Sequence, residues 1–321
     1  MKLFRHIALL AVALCTWTSC SLVLEDRTSC PCWLNMTVDP ADGPGVLRLP
    51  ARLRLPSQAM VAVWDKDEYV LQAHAEPFPL GQIDTLRHYL MPAFYECEVR
   101  KGMLDVCCIH GMEKSVQEGR RLLIPAGEQA DTLWTHCHLG LDCTGEFAFD
   151  TVRLHKQFAH VKLRIQLTRR DMEMGYPLYP LIRSNVCGMD MTDPKTPLTG
   201  AFGPADASDG AYDSAFAYAP ALSGWDETKD GRVFAVYCFR LPRHTEASEA
   251  IRIELYHESD RSYVTGVNVG GYINSQIAYD WTADDLEDFI IDWDFSRVDF
   301  DPARDIRVRD WNVIDTYIDP M

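Results

Sequence analysis

Three groups of residues in this sequence have the chemistry to act. The first is Cys20, preceded by Thr18-Ser19 and by an apolar run over residues 7–14, behind a short basic start carrying Lys2 and Arg5. A basic start, a short apolar stretch and small residues make a secretory leader, and the run is too short for the roughly 20 residues of a membrane crossing. Small residues directly before a cysteine suit a lipoprotein signal peptidase, because the thiol must take a diacylglyceryl group before cleavage frees the amine. Cys20 is therefore expected to be the lipid-bearing first residue of the mature chain, held by acyl chains worth roughly 0.8 kcal/mol per buried methylene. An ordinary secretory signal cleaved nearby is the alternative, since Trp17 stands where lipoprotein signals usually carry Leu.

The second group is His136-Cys137-His138, with Cys143 beyond it. These are metal-ligand residue types. On a strand, however, His136 and His138 share one face while Cys137 points to the other. At most two of the three can converge, and no second pair follows at zinc spacing, so disulfide or surface roles are expected rather than a metal. The third group is acidic: Asp284, Asp285, Glu287, Asp288, Asp292, Asp294, Asp299, Asp301 and Asp305. It lacks the alternating carboxylates, central glycine and distal glutamate of a calcium loop. Helix capping and solvated strand faces account for it. There is no Gly-x-Ser-x-Gly, no His-Glu-x-x-His and no phosphate-cradling glycine loop, so no catalytic residue and no cofactor is expected.

What positions these residues follows from composition and period. The 321 residues suggest two domains behind the leader, each large enough for its own core. A net charge of -16 without any basic cluster excludes nucleic acid as a partner. Beyond Cys15 and Cys20 stand Cys30, Cys32, Cys97, Cys107, Cys108, Cys137, Cys143, Cys187 and Cys238, an odd number that leaves at least one thiol unpaired in a monomer. Cys30-Pro31-Cys32 and Cys107-Cys108 are too close in sequence to close on themselves without straining the bridge. Each is expected to pair elsewhere or to stay buried and reduced.

Residues 21–29 read as a polar spacer. From Trp33 the dominant period is two. Strands are expected over 33–38, over 61–64 and 69–71 as a hairpin, and over 94–99 returning at 104–109 through Lys101-Gly102. Leu47-Arg48-Leu49-Pro50 and Leu53-Arg54-Leu55-Pro56 suit edge positions. Residues 80–90 have Ile83, Leu86 and Leu90 at helical spacing. Further strands fall on 161–167, with one buried face, on the apolar run 233–239, on 251–255, 289–295, 298–300 and 306–308. Residues 200–231, rich in Gly, Ala, Asp and Ser, read as a long surface loop. Thr282, with Asp285 at the third helical position, reads as a helix start. Many short strands and few helices point to an all-β chain of antiparallel β-sandwiches, with a signal peptide over 1–20 and domains over 21–150 and 151–321.

Behind Cys20, Glu25-Asp26-Arg27-Thr28-Ser29-Cys30-Pro31-Cys32 resembles the head of the fimbrillin-associated anchor lipoproteins, minor fimbrial subunits of Bacteroidales. The resemblance continues through Val63-Trp64-Asp65 and Lys156-Gln157-Phe158-Ala159-His160-Val161-Lys162-Leu163. It is strongest in Asn268-Val269-Gly270-Gly271-Tyr272-Ile273, Tyr279-Asp280-Trp281-Thr282-Ala283-Asp284-Asp285-Leu286-Glu287-Asp288-Phe289 and Val308-Arg309-Asp310-Trp311. It implies a non-catalytic protein of two tandem transthyretin-like β-sandwich domains, surface-exposed at the base of a fimbrium. The lipid on Cys20 would hold it in the outer membrane, where it would anchor the fibre, limit its length and bind pilin subunits.

Such subunits join by strand exchange, in which an extended segment of one fills a groove of the next. In polymerising relatives an N-terminal strand is cut away to open that groove. Here the same cut would sever the tether, so the chain is expected to keep its strand over 33–38 and to meet its neighbour through residues 312–321. A surface glycan-binding lipoprotein with Trp225, Tyr212 and Tyr218 in the long loop is the alternative.

Overall fold

The computed structural model describes residues 30–38, 59–66, 68–74, 83–84, 89–90, 94–167, 178–200, 202–204, 212–214, 216–229, 231–245, 251–294, 301 and 305–311. Strands β1 (Cys32–Val38), β2 (Ala59–Asp65) and β3 (Glu68–His74) come first, then the two-residue β4 (Ile83–Asp84) and β5 (Tyr89–Leu90). They are followed by β6 (Phe94–Val99), β7 (Met103–His110), β8 (Val116–Glu118), β9 (Arg121–Leu123), β10 (Trp134–Asp142), β11 (Phe147–Val152) and β12 (His155–Lys156). Next are β13 (Phe158–Gln166), β14 (Leu178–Ser184), β15 (Val186–Asp190), β16 (Pro197–Thr199), β17 (Phe202–Pro204), β18 (Tyr212–Ser214) and β19 (Phe216–Tyr218). The chain ends with β20 (Leu222–Glu227), β21 (Val233–Pro242), β22 (Ile251–His257), β23 (Tyr263–Asn268), helix α1 (Gly270–Ile277), β24 (Phe289–Asp294) and β25 (Ile306–Asp310).

Strand β1 lies in the middle of a three-stranded sheet, parallel to β11 and antiparallel to β6. A five-stranded sheet, β12-β10-β7-β2-β3, faces it. Leu34 and Met36 of β1 meet Val61, Val63, Val106 and Trp134 in the core between the two. The opposite face of the five-stranded sheet is covered as well: Ala62, Trp64, Cys107 and Ile109 pack on Leu122, Met189 and Met191. The cover is a small sheet, β16-β15-β9-β8, which joins residues 121–123 to 188–190. That close pairing requires glycine at 188, where a Cβ would sit 2.1 Å from the Leu122 carbonyl oxygen. Strands buried on both faces have continuous apolar runs, which is the pattern of Val61-Ala62-Val63-Trp64 and Val106-Cys107-Cys108-Ile109.

A second sandwich packs the sheet β20-β21-β13-β24-β25 against β19-β14-β22-β23. Leu163, Ile165, Phe239, Ile253 and Trp293 lie in its core. Helix α1 closes one end: Ile273 is fully buried, and the Gln276 amide donates to the Ile306 carbonyl (3.1 Å) while accepting from the Val308 N–H (2.6 Å). One side chain thereby occupies the outer edge of β25 as a partner strand would, which protects it. The protein is an all-β chain of sandwiches with one short helix among the described residues, and there no helix is long and apolar enough to cross a membrane.

Several expectations change. Within 80–90 the described residues are strand rather than the expected helix: Ile83-Asp84 pairs with Tyr89-Leu90 as β4 and β5. A segment below the roughly 12–15 residues an isolated helix needs has little to hold it. Strands β6 and β7 flank Lys101-Gly102 but do not pair with each other: β6 joins β1 and β7 joins β2 and β10. Residues 200–231, expected as a loop, include β17 to β20. No helix starts at Thr282. Its N–H and hydroxyl both donate to the Asp280 carboxylate (2.9 and 2.7 Å), a local turn that competes with helix, and the helix lies upstream at α1. The hairpin of β2 and β3 and the strands over 158–166, 233–242, 251–257, 289–294 and 306–310 form where periodicity places them. The edge segments at 47–56, strand 298–300 and the spacer 21–29 lie outside the described residues.

Candidate functional site

Cys20 lies outside the described residues, and so does the tail 312–321. The described part of the chain starts at Cys30 and enters β1 within two residues. Cys32, Leu34 and Met36 are fully buried on its inner face, and on the other face the Asn35 amide donates to the Trp33 carbonyl (3.1 Å). The register with β11 runs unbroken from Trp33 opposite Phe147 to Val38 opposite Val152, and begins with the Trp33 N–H donating to the Glu146 carbonyl (2.8 Å).

His136 and His138 do share one face of β10, and both point at Asp150 of β11. His136 Nε2 is 3.0 Å from one carboxylate oxygen and His138 Nδ1 is 2.9 Å from the other. The Arg153 N–H donates to His136 Nδ1 (3.2 Å), which fixes the proton of His136 on Nε2. Burial pushes the Asp150 carboxyl up, but the hydrogen bonds from His136 and His138 outweigh it and hold its pKa below the ordinary value. Asp150 thus engages both rings and ties two sheets together. Among the described residues no group of three His, Cys, Asp or Glu side chains is arranged to hold a metal. Cys137 points the other way and meets Cys107, its direct opposite on β7, at 3.1 Å between sulfurs. Cys143 is hydrogen-bonded to Cys32, and burial pushes its thiol up to about 12.

The acidic cluster fastens the link between the two halves of the chain. Asp285 accepts the Lys156 N–H (2.7 Å), and Asp288 accepts both the Lys156 ammonium (2.5 Å) and the His160 N–H (2.7 Å). Asp284 pairs with Lys195 (2.5 Å), and Asp292 lies between Arg164 (3.2 Å) and Arg309 (3.1 Å). Arg243, only 3% exposed, threads the turn over 281–284: its guanidinium donates to the carbonyls of Trp281 (2.5 Å), Ala283 (2.8 Å) and Asp284 (3.0 Å) and to the Gln157 amide (2.8 Å). The stretch over 279–289 is thereby clamped to the connection between β12 and β13. Asp301 and Asp305 close a turn on each other. Asp150, Lys156 and Arg243 are absent from the three groups the sequence singles out; their partners are remote in sequence and no local spacing announces them.

One Ser–His pair has hydrolase chemistry on paper. Ser184 Oγ is 2.6 Å from His244 Nε2, but His244 Nδ1 donates to the Pro242 carbonyl (2.7 Å) rather than to a carboxylate. Ser184 and His244 are 0% and 1% exposed, so no substrate reaches them. Burial drives the His244 pKa down to about 4 against the opposing Pro242 bond, and the ring is a neutral core group. A cavity lined by Leu122, Ile124, Leu133, Met189 and Arg243 measures about 20 Å³, room for one water rather than a sugar. Of the loop aromatics, Trp225 is half exposed on the edge strand β20, whereas Tyr218 packs on the second core; the Tyr212 side chain is outside the described residues. Trp33, Phe147 and Phe149 are exposed on the outer face of β1 and β11.

No protein-family model matches the chain, and no curated protein does. Among solved structures it is similar to a candidate adhesin from Bacteroides thetaiotaomicron, at 12% identity and TM-score 0.49 over 88% of this chain and 97% of that one. It is also similar to a candidate adhesin from Bacteroides ovatus (8%, TM-score 0.49, 82% and 89%) and to a candidate cell adhesion protein from Bacteroides uniformis (10%, TM-score 0.43, 89% and 99%).

Proposed function

We propose that this chain is a non-catalytic, lipid-tethered fimbrial subunit at the outer membrane surface, anchoring a fimbrium at its base and limiting its length. The observation that carries the reading is the place of β1. The strand directly downstream of the expected lipid site is the central strand of its sheet, with a fully buried inner face. Removing it would open the first core and separate β6 from β11, so the anchor keeps the segment that polymerising relatives shed.

The parallel pairing of β1 and β11 suits a tether. A pull on the N-terminus draws β1 backwards while the fibre draws β11 forwards through β12 and β13. The six registered pairs from Trp33 to Val38 are then loaded in shear and must fail together. The clamp of Asp285, Asp288 and Arg243 holds the next stretch of the same path. Pilin subunits are the partners, joined by strand exchange through the tail 312–321, with domains over 21–150 and 151–321. Because Gln276 occupies the edge of β25, the tail meets its neighbour beyond this edge.

The test compares wild type with Cys20→Ala by cell fractionation and filament imaging. Long filaments shed to the medium, with the protein lost from the membrane, support the anchor. Filaments that stay attached and unchanged in length refute it. The second reading, a surface glycan-binding lipoprotein, has the exposed rings of Trp33, Phe147 and Phe149 in its favour, since aromatic faces stack on sugars.

A further inference from the structure

The geometry points to Cys107 and Cys137 as a redox pair that closes to a cross-strand disulfide between β7 and β10 when the folded protein meets a protein disulfide or glutathione disulfide. The two residues are direct partners in an antiparallel register, and their sulfurs lie 3.1 Å apart. Opposite residues of antiparallel strands have the Cα separation a disulfide accepts, and a small rotation of each side chain brings the sulfurs to bonding distance.

Neighbouring thiols are excluded by position. Cys108 belongs to the opposite face of β7, in the core shared with Leu34, so the vicinal pair cannot close. Cys32 and Cys143 are hydrogen-bonded to each other but both are fully buried, out of reach of an oxidant while the fold is intact. Cys137 alone of these is partly exposed, and both it and Cys107 face the carbonyls of residues 191–192: Cys107 Sγ donates to the Met191 carbonyl (3.1 Å) and Cys137 Sγ to that of Thr192 (3.5 Å).

The exchange balances in two steps. The Cys137 thiolate attacks one sulfur of the oxidant, forming a mixed disulfide and releasing one thiolate. Cys107 then loses its proton and attacks the Cys137 sulfur, expelling the second thiol. Two protons and two electrons pass to the oxidant, which leaves as two thiols. The Met191 and Thr192 carbonyls lose their S–H donors, so closure registers on the contact between the five-stranded sheet and the cover formed by β15.

The test is thiol counting on the reduced, folded protein after exposure to glutathione disulfide, by alkylation in denaturant and peptide mass spectrometry. The expected result is a loss of two alkylation sites, a linked peptide pair containing Cys107 and Cys137, and a melting temperature roughly 5 °C higher than the reduced form. Cys137→Ser abolishes the link; Cys108→Ser leaves it. Full alkylation of Cys107 and Cys137 after oxidation, or linkage through Cys108 or Cys143 instead, overturns the assignment. This test is indifferent to where the chain resides, so its failure is distinct from a failure of the export reading, which shows in fractionation.

Discussion

Asp150 takes a ring nitrogen from each of two histidines on its two oxygens, and it is held below its ordinary pKa by them. Asp150→Asn keeps the size and removes the charge, and is expected to lower stability by about 1–3 kcal/mol in urea denaturation. Because the folded pKa is depressed, the contribution of Asp150 is fully present above the unfolded carboxylate value and is lost as pH falls through the folded one. His160 and His244 act over a milder range. Burial takes both to about 4 in the fold, while the unfolded chain protonates them near 6.5. The unfolded state therefore binds more protons between these values, and stability drops as pH falls from about 6.5 towards 4. Melting temperatures are expected to fall across that window, and His244→Gln is expected to flatten the fall. A wild-type melting temperature unchanged between pH 7 and 4.5 contradicts the neutral core placement.

At the scale of elements, β1 is sensitive on its inner face and tolerant on its outer one. Leu34→Ala leaves a cavity in the first core and is expected to cost about 2–5 kcal/mol, whereas Phe149→Ala, whose ring is 73% exposed, stays within about 0.5 kcal/mol. Glu254 of β22 is fully buried between Arg183 (2.9 Å), Arg252 (3.0 Å) and the Tyr256 hydroxyl (2.8 Å), so Glu254→Ala strands two cations and costs about 3–5 kcal/mol. Chemical denaturation of the three variants separates these values. Strands with a clean period or a continuous apolar run, such as β13, β21 and β22, are legible in the sequence because each buries the side that its pattern marks. Strand β11 is not: Ala148 faces in and Phe147 and Phe149 face out, the reverse of what hydrophobicity suggests. The turn at 280–285 mimics a helix start because the residue types that cap helices also close local turns, and here Asp280 accepts the Thr282 N–H and hydroxyl. The two-histidine face of β10 was readable from period alone, but its partner Asp150 and the opposite Cys107 come from neighbouring strands, and only register brings them in.

For the whole molecule, a polar clamp joins the two sandwiches alongside the sheet β16-β15-β9-β8 and the apolar contacts beneath it. Arg243 satisfies carbonyls over 281–284, and Asp288 holds both Lys156 and the His160 N–H. Arg243→Met leaves those carbonyls without donors, and limited trypsin digestion is expected to cut at Arg153 or Lys156 in this variant and not in wild type. Resistance equal to wild type contradicts the clamp. On the proposed anchor function, tension requires this link closed and β1 retained. The most direct measurement is therefore the N-terminus of the protein recovered from the membrane fraction, read by mass spectrometry. The account predicts an acylated Cys20 followed by an uncut chain through β1. A membrane-held form trimmed after Arg27 or Arg52 contradicts it.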